Sequence, residues 1–166
     1  MSDTPLASRP AAPSSQARVT AAATAHGLDI EIVTHATSTR TAAEAAAACG
    51  VDVAQIVKSM IFEDQRGALV LTLVSGRHNA DLAAIEAREA LALKRADARR
   101  IRDETGFAIG GVAPIGHINP MPVYMDETLL EWPAVWCAAG RPDNMFAVAP
   151  DRLAKATNAT IIRVTA

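Results

Sequence analysis

The sequence predicts an α+β fold in which short helices surround a mixed, mainly antiparallel, curled sheet. Three observations carry this. Strand-like segments outnumber helical ones, one adjacent pair reads as a hairpin, and the strict strand–helix–strand alternation of a parallel α/β protein is missing. The chain has 166 residues, 50% apolar but only 4% aromatic, so alanine, valine, leucine and isoleucine must fill the core. That length suits one domain with a sizeable interior.

The elements follow in order. Residues 1–15 hold three prolines, four serines and a threonine with little to bury, which predicts a flexible leader; residues 16–166 then form a single folded domain. Gln16 to His26 reads as an alanine-rich helix ended by Gly27. Asp29 to Thr34 alternates polar and apolar residues, as a half-buried strand does. Thr41 and Glu44 form a capping box for a helix that runs to Gly50. Strands at residues 56–63 and 68–74 flank Asp64-Gln65-Arg66-Gly67, a polar linker suited to a hairpin. Helices are expected over 81–91 and from the Asp97 cap through Thr105, where Gly106 stops the second. Short strands near 123–126, 134–138 and 146–149 lead to Pro150, which starts a helix over 151–156, and to a last strand at 160–164.

Composition and motifs exclude more than they assign. A net charge of −2 and a pI near 6.1 argue against non-specific coating of nucleic acid. A local basic run of Arg88, Lys94, Arg95, Arg99, Arg100 and Arg102 is either a solvated helix face or a patch for an anionic partner. Cys49 and Cys137 lie far apart in apolar company and read as buried free thiols in a reducing compartment. No apolar run approaches the roughly 18 residues that span a bilayer, and no signal peptide opens the chain, so a cytoplasmic, non-membrane protein is expected. Histidines 26, 35, 78 and 117 lack metal-ligand spacing, and no cofactor is expected. Phosphate-loop, dinucleotide and nucleophile-elbow motifs are all missing.

Two features remain. Lys58 sits in Gln55-Ile56-Val57-Lys58-Ser59-Met60-Ile61-Phe62, a strand whose alternation puts Ile56, Lys58 and Met60 on one face. A cation there either faces solvent or waits in a pocket for an anion or a carbonyl. The second feature is Gly110-Gly111-Val112-Ala113-Pro114-Ile115-Gly116-His117, whose three glycines and proline bare the backbone. Such a loop is either a tight turn or a cradle of N–H groups for a ligand's oxygens. His117 reads as a loop-packing residue or a base, and Trp132 and Trp136 as packing residues.

Taken with Thr41-Ala42-Ala43-Glu44-Ala45-Ala46, the Lys58 strand and the segment Thr105 to His117 resemble the YbaK/prolyl-tRNA synthetase editing-domain family. The likeness continues through Pro122 to Leu130 and through Ala149 to Leu153, covering roughly residues 25 to 165. It implies a free-standing deacylase that hydrolyses amino acids wrongly attached to tRNA, with the aminoacyl-tRNA 3′ end as its partner and an aminoacyl-tRNA synthetase as a further one. It implies that Lys58 is important for activity and that Gly110 to Pro114 hold the aminoacyl-adenosine end. Two departures stand out. Ser59 replaces a common threonine, and residues 141–145 lack the histidine of the synthetase-embedded domains.

An aminoacyl ester is already activated, so orienting water or the vicinal hydroxyl and stabilising the developing oxyanion suffices. On the resemblance, the Gly110 and Gly111 N–H groups are candidate oxyanion donors. Lys58 anchors the terminal phosphate or ester oxygens. Met60, Val112, Pro114, Ile115, Gly116 and His117 are the expected substrate contacts, selecting a small amino acid of the alanine, cysteine, serine or threonine class. The Arg95–Arg102 run would guide the tRNA body. The competing readings are a binding module for the charged or free tRNA end, without catalysis, and a structural or partner-docking domain.

Overall fold

The computed structural model describes residues 14–166. The leader expected at residues 1–15 lies outside the described residues as far as residue 13. Ser14 and Ser15 are not part of it: Ser14 caps helix α1 (Ser15–Ala25), its hydroxyl accepting from the Ala17 N–H at 3.1 Å. A serine at this position satisfies a donor that the helix start leaves open, so the helix begins earlier than expected.

Strand β1 (Val33–Thr34) is shorter than the expected 29–34. Only its two residues find partners, Met145 and Asn144, while Ile30 and Ile32 pack on the core without joining a sheet. Helix α2 (Ala42–Cys49) starts where expected, with Thr41 Oγ1 accepting from the Glu44 N–H at 3.1 Å. Strands β2 (Val57–Glu63) and β3 (Leu69–Ser75) form the expected hairpin, in register from Val57 opposite Ser75 to Glu63 opposite Leu69. Its turn is built by the Asp64 carboxylate, which accepts from the Arg66 and Ala68 N–H groups at 2.9 and 3.0 Å.

Helix α3 (Leu82–Glu89), the two-residue strand β4 (Lys94–Arg95) and helix α4 (Ala98–Thr105) come next. After the glycine loop lie β5 (Val123–Asp126), β6 (Val135–Ala138), β7 (Asn144–Val148), helix α5 (Pro150–Thr157) and β8 (Thr160–Ile162). The strands make a five-stranded sheet in the order β4-β2-β3-β5-β8 and a three-stranded sheet in the order β1-β7-β6. Pairing is antiparallel except at β3–β5 and β5–β8, which are parallel and joined through crossovers containing helices. The fold is therefore α+β with a mixed, mainly antiparallel sheet system.

Every residue of β3 is buried, and Leu71 and Leu73 share the main core with Phe107, Met125, Phe146 and Leu153. Trp132 and Trp136 pack against the apolar clusters, as the sequence suggests. Cys137 is buried, whereas Cys49 is only half-buried, with its Sγ 3.7 Å from His35 Nε2. No helix among the described residues is long and apolar enough to cross a membrane.

What positions the site is an interruption at the outer edge of β2. One edge pairs with β3 over its whole length. On the other edge only Phe62 and Glu63 pair with β4, and the preceding Ile56 makes a single bridge to Trp136 of β6. Between those two attachments the backbone groups of β2 that point away from β3 have no strand partner among the described residues. The two sheets part here.

Candidate functional site

A cavity of about 320 Å³ opens along this free edge of β2, at the small end of the range for ligand pockets. Residues 56–62 form one wall, and residues 39–42 with Ala45 form a second. Alanines at 42 and 45 leave room there that larger side chains would fill. Gly110 and Val112 of the glycine loop, with Ile109, Ile101, Arg95 and Ala96, close another side, and Ala138 and Met145 contribute from β6 and β7. Lys58 and Gly110 therefore line one cavity, although fifty-two positions separate them in the chain.

The Lys58 ammonium is held but not neutralised. It donates one proton to the His78 carbonyl oxygen, leaving two of its three donors for a ligand. Burial lowers its pKa below the ordinary value, and the negative charge of Asp126 opposes that shift. Asp126 is 1% exposed, and its carboxylate organises the chain around the lysine. Its Oδ2 lies 3.0 Å from His78 Nδ1 and accepts from the Ser75 N–H at 3.0 Å, while Oδ1 accepts from the Thr128 N–H and hydroxyl at 3.0 and 2.8 Å. Burial by itself would raise the Asp126 pKa, but the hydrogen bonds from His78, Thr128 and Ser75 outweigh it and hold the carboxyl below its usual range. Asp126 thus fixes the His78 segment whose carbonyl holds Lys58.

The glycine loop divides into two parts. Gly110, with φ +96°, faces the Arg40 side chain at the cavity, and its N–H has no acceptor among the described residues. Gly111 does not share the oxyanion role expected of it: its N–H donates to the Ala108 carbonyl at 3.0 Å. It is glycine for packing, because a Cβ there would stand 3.2 Å from the backbone of Arg141 in the β6–β7 turn. Met60 and Val112 line the cavity as expected. Pro114, Ile115, Gly116 and His117 do not. Pro114 is buried, and Ile115 belongs to the main core. Gly116, with φ +87°, lets helix α1 approach, since a Cβ would meet the backbone of Arg18 and Val19 at 3.0 Å.

His117 packs edge-on against Phe107, ring centroids 5.3 Å apart, with Nε2 buried and unpartnered among the described residues. Burial lowers its pKa to about 4, a hydrogen bond to the Ala113 backbone opposing and the Arg18 charge assisting. A base buried neutral destabilises the fold in acid: between pH 6.5 and about 4 the unfolded chain binds the proton and the folded chain does not. Stability should fall by about 3 kcal/mol as the pH drops through that window and then level off for this residue. Urea unfolding of wild type and His117→Gln at pH 7.5, 5.5 and 4 tests it. Equal pH slopes for the two proteins would exclude the assignment.

Sequence reasoning missed Thr39, Arg40 and Thr41 as cavity residues. The capping box at Thr41 was the available signal, since it marks where the chain turns into α2 beside the cavity. Ser59 also lines the cavity, with its Oγ buried and unpartnered among the described residues. Among the described residues the lining holds three cations, Arg40, Lys58 and Arg95, and no carboxylate or imidazole. A site so charged attracts an anionic ligand and offers electrostatic stabilisation of an oxyanion, not side-chain general-base chemistry.

A family model described as aminoacyl-tRNA editing domain matches residues 36–156. YwhH of Bacillus subtilis (strain 168), an uncharacterized protein, is 26% identical over 119 residues, 72% of this chain and 76% of its own. A protein of Enterococcus faecalis (strain ATCC 700802 / V583) named "Putative Cys-tRNA(Pro)/Cys-tRNA(Cys) deacylase EbsC" is 24% identical over 119 residues, 70% of this chain and 71% of its own. A crystal structure described as that of "a putative trans-editing enzyme for prolyl tRNA synthetase" is 41% identical with a TM-score of 0.85, covering 92% of this chain and 97% of its own. The family match takes in the β2 wall, the Asp126 network and the glycine loop together. This chain belongs to the aminoacyl-tRNA editing domain family, and it is an aminoacyl-tRNA deacylase.

Proposed function

We propose that the protein acts in trans on mischarged tRNA carrying a small amino acid, of the alanine, cysteine, serine or threonine class. The observation that carries this reading is that Lys58 and Gly110 line one cavity of about 320 Å³. Water attacks the ester carbonyl carbon. Lys58 and the Gly110 N–H stabilise the oxyanion that forms, the bond to the ribose oxygen breaks, and that oxygen takes up a proton to regenerate the tRNA hydroxyl. The products are the free amino acid and uncharged tRNA. No strong nucleophile is needed, because the ester is already activated and positioning plus charge stabilisation lower the barrier.

Cavity size supports the small-amino-acid class. Met60, Val112 and Met145 restrict the space beside β2, so a bulky side chain would compete for room with the terminal ribose. Discrimination within the small class stays modest, since one methylene is worth about 1–3 kcal/mol. The names of the two relatives above, a Cys-tRNA deacylase and a trans-editing enzyme for prolyl tRNA synthetase, agree with this class and with a synthetase as the upstream partner. Such an enzyme works in the cytoplasm, where charged tRNA is made and used.

A panel of Ala-, Cys-, Ser-, Thr-, Pro- and Phe-tRNA incubated with the protein tests the reading. Accelerated release is expected for one or more of the small residues and not for those with large side chains such as phenylalanine. Tight binding of charged tRNA with no accelerated release of any amino acid would leave the non-catalytic binding module instead.

A further inference from the structure

We propose that Arg40 and Arg95 form a clamp for the 5′-phosphate of the terminal nucleotide, so that phosphate binding is separate from the oxyanion role of Lys58. This rests on the deacylase reading for the identity of the ligand, an adenylate-ended RNA strand. Arg40 precedes helix α2, and Arg95 lies on β4 opposite Phe62, so two separate elements bring them to one cavity. Both are exposed, and neither guanidinium has a hydrogen bond or ion pair among the described residues. Folding has left two fixed-charge forks at a small cavity with no carboxylate among the described residues of its lining, in a chain whose net charge is −2. Guanidinium groups present planar donors matched to phosphate oxygens.

Three other members of the basic run are deployed differently. Lys94 pairs with Glu63 at 3.5 Å, and Arg100 is taken by Glu63, Glu104 and the Gly67 carbonyl. Arg88 donates to the carbonyls of Arg163 and Thr165. Those three brace the fold. Lys58 is already anchored on the His78 carbonyl, and we assign its remaining donors to the ester oxygens.

Binding of adenosine 5′-monophosphate and of adenosine to the full chain, by calorimetry at low salt, tests the clamp without requiring catalysis. Wild type should bind the monophosphate at least tenfold more tightly than the nucleoside. In the Arg40→Gln/Arg95→Gln double variant that preference should vanish, with adenosine affinity unchanged and the melting curve preserved. On charged tRNA the same variant should lose chiefly in KM, and the slope of log affinity against log salt should fall by roughly 0.7 for each phosphate that is no longer neutralised. Equal wild-type affinities for monophosphate and nucleoside, a preference that survives in the double variant, or inorganic phosphate binding as tightly as the monophosphate would each overturn the clamp. A wild type that shows the arginine-dependent preference but hydrolyses no aminoacyl-tRNA keeps the clamp and removes the deacylase reading. A hydrolase whose KM is unaffected by the double substitution does the reverse.

Discussion

Replacing Lys58 with methionine should cut deacylation by on the order of a hundredfold or more while leaving the fold intact. Methionine keeps most of the apolar stem along β2 and removes only the ammonium. One preorganised donor aimed at an oxyanion is worth about 10²–10³ in rate in a site of this kind. The structural cost is small, since Lys58 is half-exposed and gives up one hydrogen bond, to His78. Such a bond contributes about 0.5–1.5 kcal/mol, a shift of roughly 2–5 °C in Tm for a chain of this length. Single-turnover hydrolysis combined with thermal melting separates the two effects. Near-wild-type turnover in a folded Lys58→Met protein would remove the lysine from the mechanism.

Asp126→Ala should be the more destructive change, because it damages stability and activity together. The carboxylate accepts from Ser75, Thr128 and His78 while almost wholly buried, so its removal leaves several donors without an acceptor. A drop on the order of 3–5 kcal/mol is expected, roughly 10 °C in Tm. The isosteric Asp126→Asn is the cleaner probe of function. It keeps the volume but removes the negative charge that favours the Lys58 ammonium, so the alkaline fall in activity should move to lower pH. An Asn variant with a wild-type pH profile would reduce Asp126 to a structural residue. The sign for stability also follows: a carboxylate whose folded pKa is depressed stabilises above 3.8, and that contribution disappears as acid protonates it. The acid windows of His117 and Asp126 therefore fall one below the other.

Local signals were legible wherever one residue sufficed to fix the backbone. Thr41 and Asp97 cap the helices that follow them, and Asp64 with Gly67 turns the β2–β3 hairpin. Long-range consequences were not. The parallel pairing of β5 with β3 and β8 depends on crossovers that no local pattern encodes. Nor does the alternation of β2 disclose that its outer edge stays open between Ile56 and Phe62, the gap that creates the cavity. The glycine loop shows the limit most clearly. Gly110, Gly111 and Gly116 read alike in sequence, yet one meets the cavity, one admits the Arg141 backbone and one admits helix α1. His117 follows the same division, its ring turned to Phe107 and the core. Arg40 escaped notice because an isolated arginine before a helix carries no pattern; only its unpaired placement in the folded chain distinguishes it.

The central claim is that Lys58 and Gly110 grip the same reacting group. It is tested most directly by titrating isotopically labelled protein with a non-hydrolysable amide analogue of alanyl-adenosine and following two nuclei, the Gly110 amide and Lys58 Nζ. Both resonances should move and saturate together with a single Kd. Saturation of the ligand with either signal stationary would contradict the account.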